Sequence, residues 1–309
     1  MFHKETTMYE PPPVSCDDIV RAVNTAKRQS PTYESILEFY QKVFVAREQS
    51  VFNVHLEPVV IEAAILSAKI KGRLPLISLP EFPVDVEVSS ALMDRLFQIA
   101  ITHNPGLTTA AGILAEAFQS KIIEPRMLFF ALLNENDEIF HNVARNLKID
   151  GQALSFFIYN GLYPSIRAAS QQLAATYLNP EAESDGATCP VCGSPPALAA
   201  LQKEGRRQLI CSFCSHAWTF RRICCPFCAN TDTRRLQYFY NPQEPGYRVD
   251  LCDACRRYIK TVDTEKLSRP FYPPLEQVVT LHLDFKATEL GYVGAIEGLD
   301  ADGQKPAGA

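Results

Sequence analysis

The sequence predicts an α+β chain in two parts: an N-terminal all-α helical domain over 1–180, then a C-terminal module over 186–298 with two tandem four-cysteine metal sites and a closing helix. Three observations predict it. Apolar residues recur at helical spacing from Ser30 to about Asn179, nine of the ten cysteines fall between Cys189 and Cys255, and the runs among those cysteines are short and rich in aromatic and β-branched residues. A chain of 309 residues, 47% apolar and 21% charged, has room for about two globular domains.

In the helical part, Ser30 followed by Pro31 offers an N-cap and a first-turn proline, and Ile36, Phe39, Tyr40, Val43 and Phe44 then form one apolar stripe. Val60, Ala63, Ala64 and Leu66 belong to a second helix, Ala91, Leu92, Leu96, Ile99 and Ala100 to a third, and Ala111, Ile113, Leu114 and Phe118 to a fourth. Pro125 opens a fifth helix through Leu133, and 137–147 makes a sixth. Asp150 caps a further stretch to Leu178, with a break expected near Gly161 and Pro164. Between Gly72 and Val88, Pro75, Pro80 and Pro83 exclude a helix and predict an extended connection.

The polar segment 179–186, with Pro180 and Gly186, marks the domain boundary. Beyond it, 208–211, 217–223, 236–240, 247–251 and 258–262 read as strands. Residues 274–290 return to helix, with Leu275, Val278, Val279, His282, Phe285 and Leu290 able to share a face. The Gly-, Pro- and Ala-rich 299–309 reads as a disordered tail.

Four Cys-x-x-Cys pairs follow in order: Cys189/Cys192, Cys211/Cys214, Cys225/Cys228 and Cys252/Cys255. Eighteen residues separate the first two pairs and 23 the last two. Two intervening residues let a tight turn aim both sulfurs at one point, and two such knuckles on neighbouring strands complete a tetrahedral four-sulfur shell. Pairing first with second and third with fourth needs the shortest loops, while an interleaved arrangement stays open. Cys-Pro-x-Cys opens each ribbon, so the module reads as an internal duplication. Cys224 points away from its neighbour on an extended strand and reads as a small buried side chain; Cys16 reads as a bystander.

A tetrathiolate cage suits both Zn²⁺ and a mononuclear iron of rubredoxin type, so the ligands leave the metal open. Zinc would give a redox-silent centre of charge −2, and iron a one-electron centre. In either case the ions can serve simply to staple ribbons too small to have cores of their own.

The formal charge of −5 hides a division. Residues 186–270 hold 13 Lys and Arg against 7 Asp and Glu, a surplus of +6, and the rest of the chain carries −11. Arginine doublets at 206/207, 221/222, 234/235 and 256/257 lie near Trp218, Tyr238, Tyr240, Tyr247 and Tyr258, a texture compatible with single-stranded nucleic acid or an acidic protein surface. Two zinc–tetrathiolate centres would cut the surplus to about +2, which argues against nucleic acid and for a protein interface.

Other classes are excluded more directly. The longest weakly charged stretch, from Lys148 to Arg167, is broken by Gly151, Asn160, Gly161 and Pro164 and falls short of the ~20 residues that span a bilayer. The first fourteen residues contain no secretory apolar segment, so a cytoplasmic location is expected. No phosphate-binding Gly-rich loop or Ser/His/Asp arrangement occurs, and the six histidines form no metal motif, so no catalytic residues are assigned.

The run Cys189-Pro-Val-Cys192-Gly193-Ser194-x-Pro196, Cys211-Ser-Phe-Cys214 with Trp218 and Arg222, Cys225-Pro-Phe-Cys228, Tyr238, and Cys252-Asp253-Ala-Cys255-x-x-Tyr258-x-Lys260 resembles the formate dehydrogenase accessory (formation) proteins of the FdhE type. Leu283-Asp284-x-x-x-x-Glu289-x-Gly291-Tyr292 resembles them too. The resemblance implies a cytoplasmic accessory factor, not itself an enzyme, that acts on the catalytic subunit of formate dehydrogenase during maturation or before export. That partner carries a molybdenum cofactor and an iron–sulfur cluster. The resemblance also implies two mononuclear metal ions at rubredoxin-like sites, iron before zinc, held by Cys189, Cys192, Cys211, Cys214, Cys225, Cys228, Cys252 and Cys255. The alternatives are a small rubredoxin-like electron-transfer or thiol redox protein and a zinc-ribbon nucleic-acid binder.

Overall fold

The computed structural model describes residues 14–179, 182 and 186–295; the proposed boundary at Pro180 and the 299–309 tail lie outside these. The chain divides into two compact units, one built on Ile19–Leu173 and one holding a six-stranded sheet.

The helical unit starts earlier than the periodicity suggests. Helix α1 (Cys16–Gln29) buries Ile19, Ala22, Val23 and Ala26. Ser15 begins it, its Oγ accepting from the Asp18 amide at 3.1 Å and donating to the Asp18 carboxylate at 2.7 Å. Two alanines in the stripe hide this helix from a hydrophobicity reading. Ser30 takes the N-cap position and Pro31 the first turn as expected, but of a 3-10 turn (Pro31–Tyr33) and without a side-chain cap bond; α2 (Glu34–Val51) follows it, burying Leu37, Phe39, Val43 and Phe44.

Helix α3 (Ala63–Gly72) leaves Val60 outside and buries none of its residues, so the second predicted helix exists but is no core element. The proline-rich connection is extended as expected except for one 3-10 turn at Leu79–Glu81, closed by reciprocal bonds between Ser78 and Glu81. It ends before Val88, because the Asp85 carboxylate caps the Val88 amide at 3.0 Å and starts α4 (Val86–His103).

Helices α5 (Thr108–Gln119), α6 (Pro125–Leu133) and α7 (Asp137–Leu147) lie where predicted. Asp150 does cap α8 (Gly151–Tyr177), accepting from the Gln152 amide at 2.9 Å. The predicted break in α8 does not occur. A Cβ at Gly161 would lie 2.2 Å from Met93 Cγ, so the glycine serves close approach of α4 rather than a bend. Around Pro164, Asn160 accepts from Arg47 at 2.9 Å and Ser165 from the Asp85 amide at 3.0 Å, tertiary bonds that hold the helix through the proline. Phe44, Phe97, Phe129 and Phe157 are fully buried in this unit.

The second unit contains β1 (Pro196–Leu201), β2 (Arg207–Cys211), β3 (Ala217–Phe220), β4 (Leu236–Phe239), β5 (Tyr247–Cys252) and β6 (Arg257–Asp263) in the order β3-β2-β1-β6-β5-β4. Each ribbon is an antiparallel three-stranded meander, and the two join through the parallel pair β1–β6, with Leu198 opposite Lys260. β1 was not expected from the sequence. Four of its six residues are buried, and Pro-Ala-Leu-Ala-Ala-Leu lacks the alternation that marks a half-buried strand. β3 stops at Phe220, three residues short of expectation, where Arg221, Arg222 and Ile223 turn out to solvent.

The predicted C-terminal helix is two helices, α9 (Pro273–Val279) and α10 (Leu281–Glu289). Thr280 breaks them at φ −113°, its hydroxyl donating to the Glu276 carbonyl. The break rotates the apolar face: Leu275, Val278 and Val279 are buried as expected, but Leu283 and Ala287 take the places assigned to Phe285 and Leu290, and Phe285 is 71% exposed. Leu283 and Ala287 pack on Val249, Leu251 and Tyr258, covering one face of the sheet.

Candidate metal centres

The topology brings each pair of knuckles together. The opening knuckle of each ribbon precedes its first strand, β1 or β4, and the closing knuckle joins the second and third strands. The first strand starts where the second ends, so four sulfurs meet at that end of the ribbon. Because β1 runs parallel to β6, both groups lie at the same end of the sheet. Three strand spacings from β2 to β5 set them about 14 Å apart.

Cys189, Cys192, Cys211 and Cys214 form one group and Cys225, Cys228, Cys252 and Cys255 the other, with the sulfurs of each group within 4.8 Å of one another. The pairing is sequential, not interleaved. Close Sγ–Sγ distances are 3.6 Å for Cys189–Cys214 and 3.7 Å for Cys225–Cys255 and Cys228–Cys252. A tetrahedron of sulfurs about 2.3 Å from a central ion has edges of ~3.8 Å, and a disulfide would require about 2.0 Å. The donor set and its spacing therefore fit a mononuclear tetrathiolate ion.

The knuckles share one backbone solution. The residue after each second cysteine, Gly193, Ser215, Ala229 or Arg256, has φ between 56° and 79°. Only the first knuckle uses glycine for this left-handed position, so the other three accept the strain. In the first three, the amide of the leading cysteine donates at 2.9 Å to the carbonyl five residues on, at Ser194, His216 and Asn230; in the fourth, Cys252 pairs with Arg257 in the ladder. Amides of Phe213 and Cys214 donate to Cys211 Sγ at 3.3 and 3.4 Å, and that of Phe227 to Cys225 Sγ at 3.4 Å. Such donors favour thiolate over thiol.

The groups differ in exposure. All four cysteines of the first are buried, whereas in the second Cys228 is exposed and Cys255 half-buried. Four adjacent thiols cannot all ionise without a cation. In the second group burial pushes Cys225 up and Cys255 up to about 11; burial also acts on Cys252, but amide donors from Cys255 and Ala254 outweigh it and hold that thiol below its ordinary value.

Cys224 is buried with its Sγ 3.6 Å from the Cys225 carbonyl and belongs to neither group; Cys16, in α1, belongs to neither as well. His216 stacks on Trp218, ring centroids 6.5 Å apart. Sequence reasoning missed three supporting contacts. Asn230 points its amide at Cys252 Sγ at 3.9 Å. Arg207 donates to the Cys224 carbonyl at 2.8 Å from a buried position. Tyr292 donates to Asp253 between the two cysteines of the fourth knuckle. The Asn230 signal was present, five residues after Cys225 like Ser194 after Cys189; the other two depend on tertiary placement.

The family model described as "FdhE, central domain" matches residues 188–222, the first ribbon. The protein FdhE homolog of Aquifex aeolicus (strain VF5) is 34% identical over 109 residues, covering 34% of this chain and 38% of that protein. The homolog of Stutzerimonas stutzeri (strain A1501) is 30% identical over 119 residues, covering 35% and 36%. The alignments thus span little more than a third of these relatives' length. The crystal structure of the FdhE protein from Pseudomonas aeruginosa matches with a TM-score of 0.65 at 19% identity, over 96% of this chain and 98% of that one, and so shares the fold.

Proposed function

We propose that the chain belongs to the FdhE family and that it is an accessory factor for the formation of active formate dehydrogenase and not itself the dehydrogenase. The observation that carries the reading is the pair of four-cysteine groups at one end of a single sheet, with sulfur spacing suited to one ion each. Cys189, Cys192, Cys211 and Cys214 would hold the first ion, and Cys225, Cys228, Cys252 and Cys255 the second. The metal would be iron by family resemblance, with zinc the alternative. An iron centre would supply one-electron redox chemistry; a zinc centre would supply structure alone.

The chain's own residues divide the work. The amides around Cys211 and Cys225 stabilise thiolate charge, and the left-handed residues after each knuckle fix the aim of the sulfurs. The buried first group suits a permanent staple, and the more open second group suits a role at the surface. We place the factor in the cytoplasm, bound to the catalytic subunit during maturation; among the described residues no helix is long and apolar enough to cross a membrane.

The test is complementation of a strain lacking its own accessory gene. Wild-type chain should restore formate dehydrogenase activity and copurify with the catalytic subunit, and Cys189→Ser should lose both metal and restoration. Wild-type levels of active dehydrogenase with Cys189→Ser would refute the reading. The exposure of Cys228 favours a second reading, electron transfer through the second centre. It requires coloured, reversibly reducible protein, and colourless zinc-loaded protein would end it.

A further inference from the structure

Helices α9 and α10 cover one face of the sheet, and the opposite face over β4–β6 carries chemistry that the metal sites do not use. β4 is an edge strand, hydrogen-bonded only to β5 among the described strands, so its outer backbone groups are available to another strand. At this edge Tyr238 and Tyr240 are 62% and 56% exposed and stacked, centroids 6.3 Å apart. Arg248 lies over the Tyr238 ring at 5.7 Å. Beside them, next to the second Cys group, opens a cavity of about 260 Å³ lined by apolar Ile223, Pro226, Phe227, Leu236 and Ile259 together with Cys224.

Four guanidinium groups, from Arg207, Arg222, Arg248 and Arg257, also line this cavity, with Asp250 the one carboxylate among its lining residues. Asp250 is already engaged by Arg248 at 2.8 Å, Thr261 at 2.7 Å and Arg207 at 3.4 Å. The buried Nε of Arg207 has no hydrogen-bond partner. Even beside a metal–tetrathiolate centre of charge −2, the surround stays positive. The cavity lies below the roughly 300–1,000 Å³ usual for small-molecule sites and suits a single side chain.

We propose that this face is a docking groove for an extended acidic peptide segment of a partner protein. The segment adds alongside β4, places carboxylates on Arg222, Arg248 and Arg257, and buries an aliphatic side chain in the cavity beside Cys224. A free sheet edge, an apolar hole and a rim of arginines together match such a strand. Single-stranded nucleic acid would use the two tyrosines, but it has no use for the apolar hole. The inference shares with the proposed function only the idea of a protein partner, and its test uses isolated metal-loaded protein, so either can fail without the other.

The test is fluorescence anisotropy with a fluorescein-labelled peptide of alternating Glu and Leu, the same peptide with Lys in place of Glu, and a labelled oligothymidylate. The acidic peptide should bind saturably. Arg248→Glu and the surface change Tyr240→Ser should each weaken it by at least about tenfold while both metals are retained; should Arg248→Glu lose metal, Tyr240→Ser decides. No saturable binding, equal binding of the Lys peptide, indifference to Tyr240→Ser, or tighter binding of the oligonucleotide would each overturn the proposal.

Discussion

Tyr292, three residues beyond the end of α10, donates its phenolic hydroxyl to the carboxylate of Asp253, between the two cysteines of the fourth knuckle. The chain on both sides reinforces the clamp. The Tyr258 amide donates to the Val293 carbonyl at 3.1 Å, the Val293 amide to the Arg256 carbonyl at 2.9 Å, and the Arg256 guanidinium sits 4.0 Å over the Tyr292 ring. The end of the described chain therefore straps the knuckle of the more exposed Cys group. Tyr292→Phe removes one hydrogen bond to a charged acceptor, worth about 1.5–3 kcal/mol, and should accelerate loss of metal from the second centre. In a chelator competition the variant should release one equivalent several-fold faster than wild type and retain the other. Equal acceleration of both equivalents, or of neither, would show that the strap does not support this centre.

The cysteine sites were legible because their determinants are local: a two-residue spacing, a proline after the leading ligand, and a turn closed within six residues. The helices of the first unit were legible where Leu, Ile and Phe made the stripe. They were missed in α1, where Ala22 and Ala26 made half of it. β1 stayed hidden because a strand that pairs in parallel at the centre of a sheet is buried on both faces and needs no alternation. Asp284 and Tyr292 stood out in the family pattern with no role legible beyond anchoring the last helix, which Asp284 does. Their partners, Tyr258, Lys260 and Asp253, lie 24 to 39 residues away and meet them only through the packing of α10.

Gly161 tests the unbroken α8. A Cβ there would sit 2.2 Å from Met93 Cγ and 2.9 Å from its sulfur. Helix propensity alone would make Gly161→Ala stabilising, so overpacking and propensity oppose each other. Overpacking should win, lowering stability by roughly 1–3 kcal/mol. Gly161→Ala combined with Met93→Ala should cost less than the sum of the two single changes, since the clash is with the buried methionine side chain. A thermal melt that rises on Gly161→Ala alone would contradict the close approach.

Asp284 accepts from Lys260 Nζ at 2.6 Å and from the Tyr258 hydroxyl at 2.9 Å, holding α10 to β6. The Lys260 side chain is 5% exposed, so its charge depends on this carboxylate. Asp284→Asn should cost about 2–4 kcal/mol, somewhat below the range for fully buried pairs because Asp284 itself is partly exposed. The double change Lys260→Met with Asp284→Leu should be less damaging than Asp284→Asn, because it leaves no buried charge unpaired. Denaturant titrations of the two variants provide the comparison, and a more stable Asp284→Asn would mean that the pair is dispensable.

Stability should fall on the alkaline side. Burial pushes the phenols of Tyr40 and Tyr163 up in the helical unit, and those of Tyr247 and Tyr292 up in the sheet unit, with the Glu276 carboxylate adding to the shift at Tyr247 and Asp253 at Tyr292. Each of these groups binds its proton more tightly folded than unfolded, where the pKa is about 10. Their contribution is therefore fully present below pH ~10 and is lost as pH rises through the folded values. Tyrosinate absorbance followed together with circular dichroism should show Tyr163 and Tyr247 ionising only as the fold is lost. Tyr247→Phe should flatten the alkaline limb, because the phenylalanine has no proton to lose. Ionisation of Tyr163 and Tyr247 near pH 10 with the fold intact would contradict the burial that raises these two phenols.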